Sequence, residues 1–103
     1  MSRLNEDFIF QVLSVVDEIP EGMVATYGII AKLTGNDRNS RLVGRALSNS
    51  SNYGEYPCHR VVNANGRLVP GWHQQREVLL REKVSFNANG YVNLKNHLWN
   101  GDE

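Results

Sequence analysis

Apolar residues recur at every third or fourth position over residues 5–19, which is the spacing of one buried helical face. They are Phe8, Val12, Val15, Val16 and Ile19. Glu6 and Asp7 stand in the first turn, where acidic side chains interact favourably with the positive end of a helix, and Pro20 interrupts the pattern. The sequence therefore predicts an amphipathic first helix from about Asn5 to Ile19.

A second, shorter amphipathic segment follows and ends at Gly35. Thr26 predicts the N-cap of a helix that continues through Leu33, because a threonine hydroxyl can accept from a free backbone N–H of the first turn. The inward face of this helix would consist of Tyr27, Ile30, Ala31 and Leu33.

A third helix is predicted from a cap at Asn36 or Asp37 to about Leu47, with Val43 and Leu47 facing inward. It carries arginines spaced three and four residues apart, namely Arg38, Arg41 and Arg45. Two short helices joined by a glycine-containing turn, the second of them bearing arginines, are typical of a DNA-binding helix-turn-helix. A solvated face would look the same, so this pattern alone leaves both interpretations open.

The rest of the chain predicts two hairpins and one more helix. An Asn-Gly pair at residues 65–66 lies between residues 60–62 and 67–69, and a second pair at 89–90 lies between 84–86 and 91–94. The pattern over residues 72–83 predicts a helix with Val78 and Leu79 or Leu80 inward, and Trp99 is expected to pack the tail onto the body. The predicted fold is a mainly α domain with a winged-helix-like helix-turn-helix and short β-hairpins.

Length and composition limit the possibilities further. A chain of 103 residues fits one small domain over residues 1–103 with a single core, and we expect a monomer. One cysteine excludes an intramolecular disulfide and favours a reducing, cytoplasmic location, and no apolar run is long enough to predict a membrane association. The formal net charge is zero, yet residues 38–67 carry five arginines against the single acid Glu55, so the middle of the chain is locally basic.

The only cysteine, Cys58, is followed directly by His59 and Arg60. A thiol reacts as the thiolate and needs a base or a positive field beside it, which makes His59 the candidate base. Neighbouring side chains of an extended chain point in opposite directions, so contact between the two needs an unusual backbone or an intervening water. The alternative is a buried apolar cysteine beside a core histidine. The three histidines are irregularly spaced and match no zinc pattern, so we expect neither metal nor cofactor.

Three blocks of residues, 24–27 (VATY), 40–47 (SRLVGRAL) and 57–61 (PCHRV), resemble in order and spacing the O6-alkylguanine-DNA alkyltransferases. The resemblance covers residues 8–82 and is to the DNA-binding and active-site domain of that family. It implies a single-turnover methyltransferase that repairs DNA: a protein that binds the minor groove of double-stranded DNA containing O6-alkylguanine, flips the damaged base and transfers its alkyl group irreversibly to a cysteine.

The resemblance also implies a role for individual residues. Cys58 is similar to the alkyl acceptor, His59 to the base that takes its proton through a water, and Glu82 to the acid that orients the histidine. Arg41 is similar to the side chain that fills the gap left by the flipped base, and Tyr27 to the tyrosine that meets the guanine. The remaining implied DNA or base contacts are the small residues Ser40 and Gly44, the main-chain carbonyls of Cys58 and Val61, and phosphate contacts by Arg38, Arg45 and Arg60.

The chain departs from the family pattern at several positions. The asparagine that the family places before the cysteine falls on Ser50, with Asn49 one residue out of register, and either could take that role. The loop over residues 69–73 is shorter by about three residues, and Glu82 matches the orienting acid only across that deletion. Its other interpretation is a solvated helix acid.

The short loop and the lack of a separate N-terminal domain are shared with the alkyltransferase-like proteins. These bind alkylated guanine without repairing it and flag it for nucleotide excision repair proteins. They typically carry tryptophan at the position of Cys58, so the thiol favours transfer over this sensor alternative. A third hypothesis is a helix-turn-helix regulator, for which Cys58 would be dispensable and one DNA sequence would be preferred.

Overall fold

The structure, a computed structural model, describes residues 6–35 and 39–101. Its elements in chain order are helix α1 (Glu6–Asp17), strand β1 (Ala25–Thr26), helices α2 (Tyr27–Leu33) and α3 (Ser40–Ser48), 3₁₀ turns at Ser50–Asn52 and Cys58–Arg60, strand β2 (Val61–Val62), and helices α4 (Gln74–Arg81) and α5 (Leu94–His97). The mainly helical class predicted from the sequence is confirmed.

Helix α1 forms the base of the core, as its pattern predicts. Its buried residues are Ile9, Val12, Leu13 and Val16. They pack with Ile30 and Ala31 of α2 and with Val43 and Ala46 of α3 in one cluster. Trp99 belongs to the same cluster and is buried, so the C-terminal segment packs onto the body as predicted. The three N-terminal helices thus form one packed unit from which the site residues project.

Helix α2 begins as the sequence predicts. The Thr26 side-chain hydroxyl accepts a hydrogen bond from the backbone N–H of Ile29 at 3.1 Å. Leu33, predicted to face inward, is 42% exposed. The prediction was wrong because Leu33 lies about 200° around the helix from the buried Ala31. Its side chain lies against the backbone of Gly101 instead.

Helix α3 presents its arginines to solvent. Val43 is buried and Leu47 is half-buried, whereas Arg41 and Arg45 are exposed. The helix begins after Asn39, which makes no side-chain capping bond. The predicted caps, Asn36 and Asp37, and the predicted phosphate contact Arg38 lie outside the described residues.

The two strands pair in parallel, with Ala25 opposite Val61 and Thr26 opposite Val62. The sequence predicted instead that residues 60–62 pair with residues 67–69. The turn between them does form, with the Asn63 N–H donating to the Arg67 carbonyl at 3.1 Å. However, Asn63 Oδ1 accepts from the N–H groups of Asn65 and Arg67, so the turn satisfies its own donors. The buried Val61 and Val62 therefore pair with β1 inside the core.

The second predicted hairpin is present as a single antiparallel bridge between Phe86 and Val92. It packs on the first turn through Gly66, whose carbonyl accepts from the Val92 N–H at 2.9 Å. Gly66 has a φ of +88°, and a Cβ there would lie 2.6 Å from the Val92 carbonyl oxygen. Only glycine fits this contact.

Helix α4 begins at Gln74, two residues later than the pattern predicts. Leu79 is its buried apolar residue, and Leu80 is 48% exposed. Within the described ranges no helix is long and apolar enough to cross a membrane.

Candidate functional site

Cys58 lines a cavity of about 230 Å³ between α2, α3 and the loop that precedes α4. We call it the thiol cavity. Its walls are formed by Tyr27, Gly44, Leu47, Ser48, Ser50, Cys58, Val69 and Trp72. The volume is below the roughly 300–1,000 Å³ of sites for drug-sized ligands. The sulfur also packs against the core, but it is not sealed within it.

The chain turns at Cys58 because Pro57 precedes a 3₁₀ turn that begins at the cysteine. The thiol donates a hydrogen bond to Ser50 Oγ at 3.4 Å. Burial raises the pKa of the Cys58 thiol, and the Ser50 hydroxyl, which can donate to the thiolate, offsets part of that rise. The thiol is therefore protonated at neutral pH in the free protein.

The contact with Ser50 bears on an ambiguity in the sequence. The side chain of Asn49, the competing residue, donates to the Arg45 carbonyl at 2.8 Å within its own helix end. Ser50 begins the next 3₁₀ turn, which places its hydroxyl beside the sulfur. Of the two candidates, Ser50 is the one in contact with Cys58.

His59 and Arg60, which follow Cys58 in its 3₁₀ turn, form a cluster with Glu82. His59 Nε2 lies 2.8 Å from Glu82 Oε2, although the two residues are 23 positions apart in the chain. Arg60 donates to both oxygens of the same carboxylate at 3.0 and 2.8 Å. Burial by itself would raise the pKa of Glu82, but the hydrogen bonds from Arg60 and His59 outweigh it and hold that pKa below its ordinary value. Glu82 is thus ionised at neutral pH, and it is not a solvated helix acid.

The remaining terminal nitrogen of the Arg60 guanidinium is also bound by the protein. A terminal nitrogen donates to the Ile19 carbonyl at 2.8 Å, and the side chain is only 15% exposed. This geometry does not support the predicted phosphate contact by Arg60, since the guanidinium is already bound on both sides by protein oxygens.

Four of the residues predicted to contact DNA or the base lie together at α3 and the start of α2. A shallow surface cavity of about 280 Å³, the α3 cavity, is lined by Tyr27, Ser40, Arg41 and Gly44. A Cβ at Gly44 would stand 3.9 Å from the Tyr27 ring, so a small residue keeps this face flat. Tyr27 lines both this cavity and the thiol cavity, and it therefore connects the arginine helix to Cys58.

The Tyr27 hydroxyl is protonated, so it can donate a hydrogen bond or a proton. Burial raises the pKa of the Tyr27 phenol, and the negative charge of Cys58, once its thiol has ionised at high pH, raises it further. The hydroxyl consequently keeps its proton at neutral pH and above.

Val61 points away from the cavity. Its side chain is buried in the core, and its carbonyl accepts from Gln75 Nε2 at 3.1 Å. The Cys58 carbonyl accepts from the Val61 N–H. The Cys58 carbonyl retains a second lone pair for a base in the cavity. Val61 is 1% exposed and does not line the thiol cavity, so the structure does not bring its carbonyl to that cavity.

Gln75 is a residue that the sequence analysis missed. It is fully buried, and its oxygen accepts from the Val69 N–H at 2.7 Å. Its nitrogen donates to the carbonyls of His59 and Val61, each at 3.1 Å. One amide therefore joins the cysteine turn to the cavity wall. The available signal was its position four residues before Leu79, on the inward face of α4.

Replacing Gln75 with leucine is expected to lower the free energy of unfolding by about 3 kcal/mol, because three buried backbone groups lose their partner at about 1 kcal/mol or more each. The same change at the exposed Gln74 is the control and should shift stability by less than about 0.5 kcal/mol. Urea unfolding followed by circular dichroism measures both. Equal stability of the two variants would contradict the role assigned to Gln75.

Comparisons with known proteins agree with this geometry. Residues 7–84 match the family described as 6-O-methylguanine DNA methyltransferase, DNA binding domain. The chain is 39% identical over 98 residues to an Escherichia coli protein named DNA base-flipping protein, a match that covers 92% of this chain and 76% of that protein. It is 45% identical over 63 residues to a methylated-DNA–protein-cysteine methyltransferase of Methanosarcina acetivorans, covering 61% of this chain and 40% of that enzyme.

A solved structure shows the same fold. The crystal structure of S. pombe Atl1 in complex with damaged DNA containing O6-carboxymethylguanine superposes with a TM-score of 0.81 at 30% identity, covering 96% of this chain and 98% of that one. The resemblance seen in the three sequence blocks is confirmed, and the relatives include both methyltransferases and proteins named for base flipping. The chain belongs to the 6-O-methylguanine DNA methyltransferase family, by its DNA-binding domain.

Proposed function

We propose that this protein binds double-stranded DNA containing O6-alkylguanine, turns the damaged base into the thiol cavity, and transfers the alkyl group permanently to Cys58. One observation carries the proposal: the single thiol of the chain opens onto a cavity that shares Tyr27 with the arginine-bearing face of α3. A base that leaves the duplex beside Arg41 would therefore pass Tyr27 and meet the sulfur.

The transfer is a displacement at the alkyl carbon. The thiolate sulfur of Cys58 forms a bond to that carbon while the bond from carbon to O6 breaks, and its electron pair passes to the guanine. Tyr27 supplies a proton to the departing guanine, for which its raised pKa leaves it protonated. The products are guanine and an S-alkylcysteine. The cavity supplies the alignment of sulfur behind carbon.

His59 is the base in this scheme. Its Nε2–H donates to Glu82, which leaves Nδ1 to take the thiol proton through a water. The ionised carboxylate of Glu82, 2.8 Å from Nε2, fixes the tautomer and the orientation of the ring. Ser50 assists, because its hydroxyl can donate to the sulfur once the proton has left.

The α3 face supplies the DNA contact. Ser40 and Gly44 allow close approach to a minor groove, Arg41 replaces the stacking of the extruded base, and the exposed Arg45 meets a phosphate. Binding of this kind is weakened by salt and is nearly independent of sequence. Extrusion costs less for a weakly paired alkylated guanine than for a normal one, which contributes to lesion preference.

The sensor is the second candidate. It is favoured by the raised pKa of the Cys58 thiol and by the likeness, over 96% of this chain, to the S. pombe protein solved with damaged DNA. In that case the protein holds the lesion without transfer and passes it to nucleotide excision repair proteins. A cytoplasmic location and action as a monomer belong to both proposals.

Replacing Arg41 with alanine tests base extrusion. We expect about a tenfold or greater loss of affinity for an O6-methylguanine duplex, because stacking on the neighbouring bases is worth about 1–3 kcal/mol. The loss should be smaller for an undamaged duplex, where no base is extruded. Arg81→Ala, on an exposed position of α4, is the control. Equal losses for Arg41→Ala on both duplexes would contradict the extrusion role.

A further inference from the structure

The protein has no net charge, but a set of neighbouring cavities on its surface has no acidic side chain among the described residues. Besides the thiol cavity and the α3 cavity there are two more cavities on the same connected surface. A small one, lined in part by Tyr27 and Arg67, shares Val69 with the thiol cavity. A larger one, which we call the α4 groove, shares Val69 and Trp72 with it. The walls of these four cavities contain no Asp or Glu from residues 6–35 and 39–101.

The α4 groove has a volume of about 300 Å³ and shares no lining residue with the α3 cavity. Its charged and aromatic walls are Arg67, Trp72, His73, Arg76 and Tyr91. The two ion pairs found in the described part of the chain both involve Glu82. Neither arginine of the groove therefore has an acidic partner there.

Arg76 is held by an aromatic ring. Its guanidinium carbon lies 4.4 Å from the centre of the Phe86 ring, an arrangement that fixes the side chain while its charge stays available. Glu77, the neighbouring acid in sequence, does not line the groove. The positive charges of Arg67 and Arg76 have no counter-charge in the groove, so an anion bound there would be stabilised.

We propose that the α4 groove is a second DNA-backbone site, in which Arg67 and Arg76 bind phosphates of the same duplex whose damaged base enters the thiol cavity. The inference rests on the proposed function for the identity of its occupant. Charge complementarity supports a phosphodiester, and continuity with the α3 cavity through Tyr27 and Arg67 supports the same duplex. Trp72, which is 36% exposed, stands between the groove and the thiol cavity.

The test is the salt dependence of DNA binding, measured by fluorescence anisotropy on undamaged and O6-methylguanine duplexes. Each phosphate contact contributes about 0.9 to the slope of log K against log salt concentration. This slope is negative, and the double variant Arg67→Gln/Arg76→Gln should make it shallower by nearly 2 on both duplexes, since about two contacts are lost. Arg67→Lys/Arg76→Lys should retain the slope, because it keeps the charges.

The matched control is Arg81→Gln/Lys95→Gln, which removes two exposed cations outside all four cavities. A groove variant whose slope is no shallower than that of this control would overturn the proposal. Thermal unfolding of each variant shows whether it remains folded. The slope on undamaged DNA tests the groove site, and the difference in affinity between the two duplexes tests lesion binding. The two proposals can therefore fail independently.

Discussion

Replacing Cys58 with serine should abolish alkyl transfer, with a loss of at least about a thousandfold, because a serine hydroxyl is a far weaker nucleophile than a thiolate unless a strong base activates it. Serine is close to cysteine in size, so the thiol cavity keeps its shape. Affinity for an O6-methylguanine duplex should remain within about twofold of the unmodified protein, as the contacts of Arg41 and Tyr27 are unchanged.

Recovery of unmodified guanine in the oligonucleotide measures transfer, and a gel shift measures binding. The Cys58→Ser protein would then be a pure lesion binder, which separates the two halves of the proposed function. Undiminished guanine recovery in this variant would show that the sulfur is not the acceptor. A loss of lesion affinity greater than about tenfold would show that the thiol is needed for binding as well as for transfer, contrary to the proposal.

Replacing Glu82 with glutamine should slow transfer by about 10- to 100-fold near pH 7 with little change in lesion affinity. The glutamine oxygen can still meet His59, but the negative charge that balances the imidazolium formed on proton transfer is gone. Single-turnover rates across pH provide the measurement. The rate of the variant should recover toward that of the unmodified protein as alkaline solution deprotonates the thiol directly, a rescue that a merely structural defect would not show.

Glu77→Gln is the matched control, because it removes an exposed carboxylate from α4, the helix that ends just before Glu82. Its rate should equal that of the unmodified protein at every pH. A Glu82→Gln rate equal to that of the control would contradict the role proposed for Glu82.

The lowered pKa of Glu82 also predicts that the free energy of unfolding depends on pH. Its pKa in the folded protein lies below its ordinary value near 4.5, so the ionised carboxylate stabilises the fold above that pH. The contribution is lost as the pH falls below 4.5 and through the lower folded pKa. In the Glu82→Gln variant this part of the acid sensitivity should be absent.

Local features of the fold follow from the sequence. The apolar spacing of α1 and the Thr26 cap of α2 depend on residues a few positions apart, and both are present. The parallel pairing of Ala25 with Val61 is not local, and an equally good turn signal at Asn65-Gly66 favoured a different partner. The choice between partners is made by burial of the valines, which no short stretch of sequence expresses.

The site was predictable to a similar degree. The three blocks identify Cys58, Tyr27 and Arg41. In the structure Cys58 and Tyr27 line the thiol cavity, and Tyr27 and Arg41 line the α3 cavity. The inward binding of Arg60 was not predictable, since its partners Glu82 and Ile19 lie 22 and 41 residues away. Gln75 was missed for a related reason: a polar residue on a helix is taken as exposed until its buried partners are known.

The most direct test of the account is the mass of the protein after reaction with an O6-methylguanine duplex. Trypsin cleavage after Arg45 and Arg60 releases the peptide that contains Cys58. We expect this peptide, and no other, to gain the mass of one methyl group in proportion to the guanine restored. A protein that binds the lesion tightly while this peptide keeps its original mass would contradict transfer to Cys58.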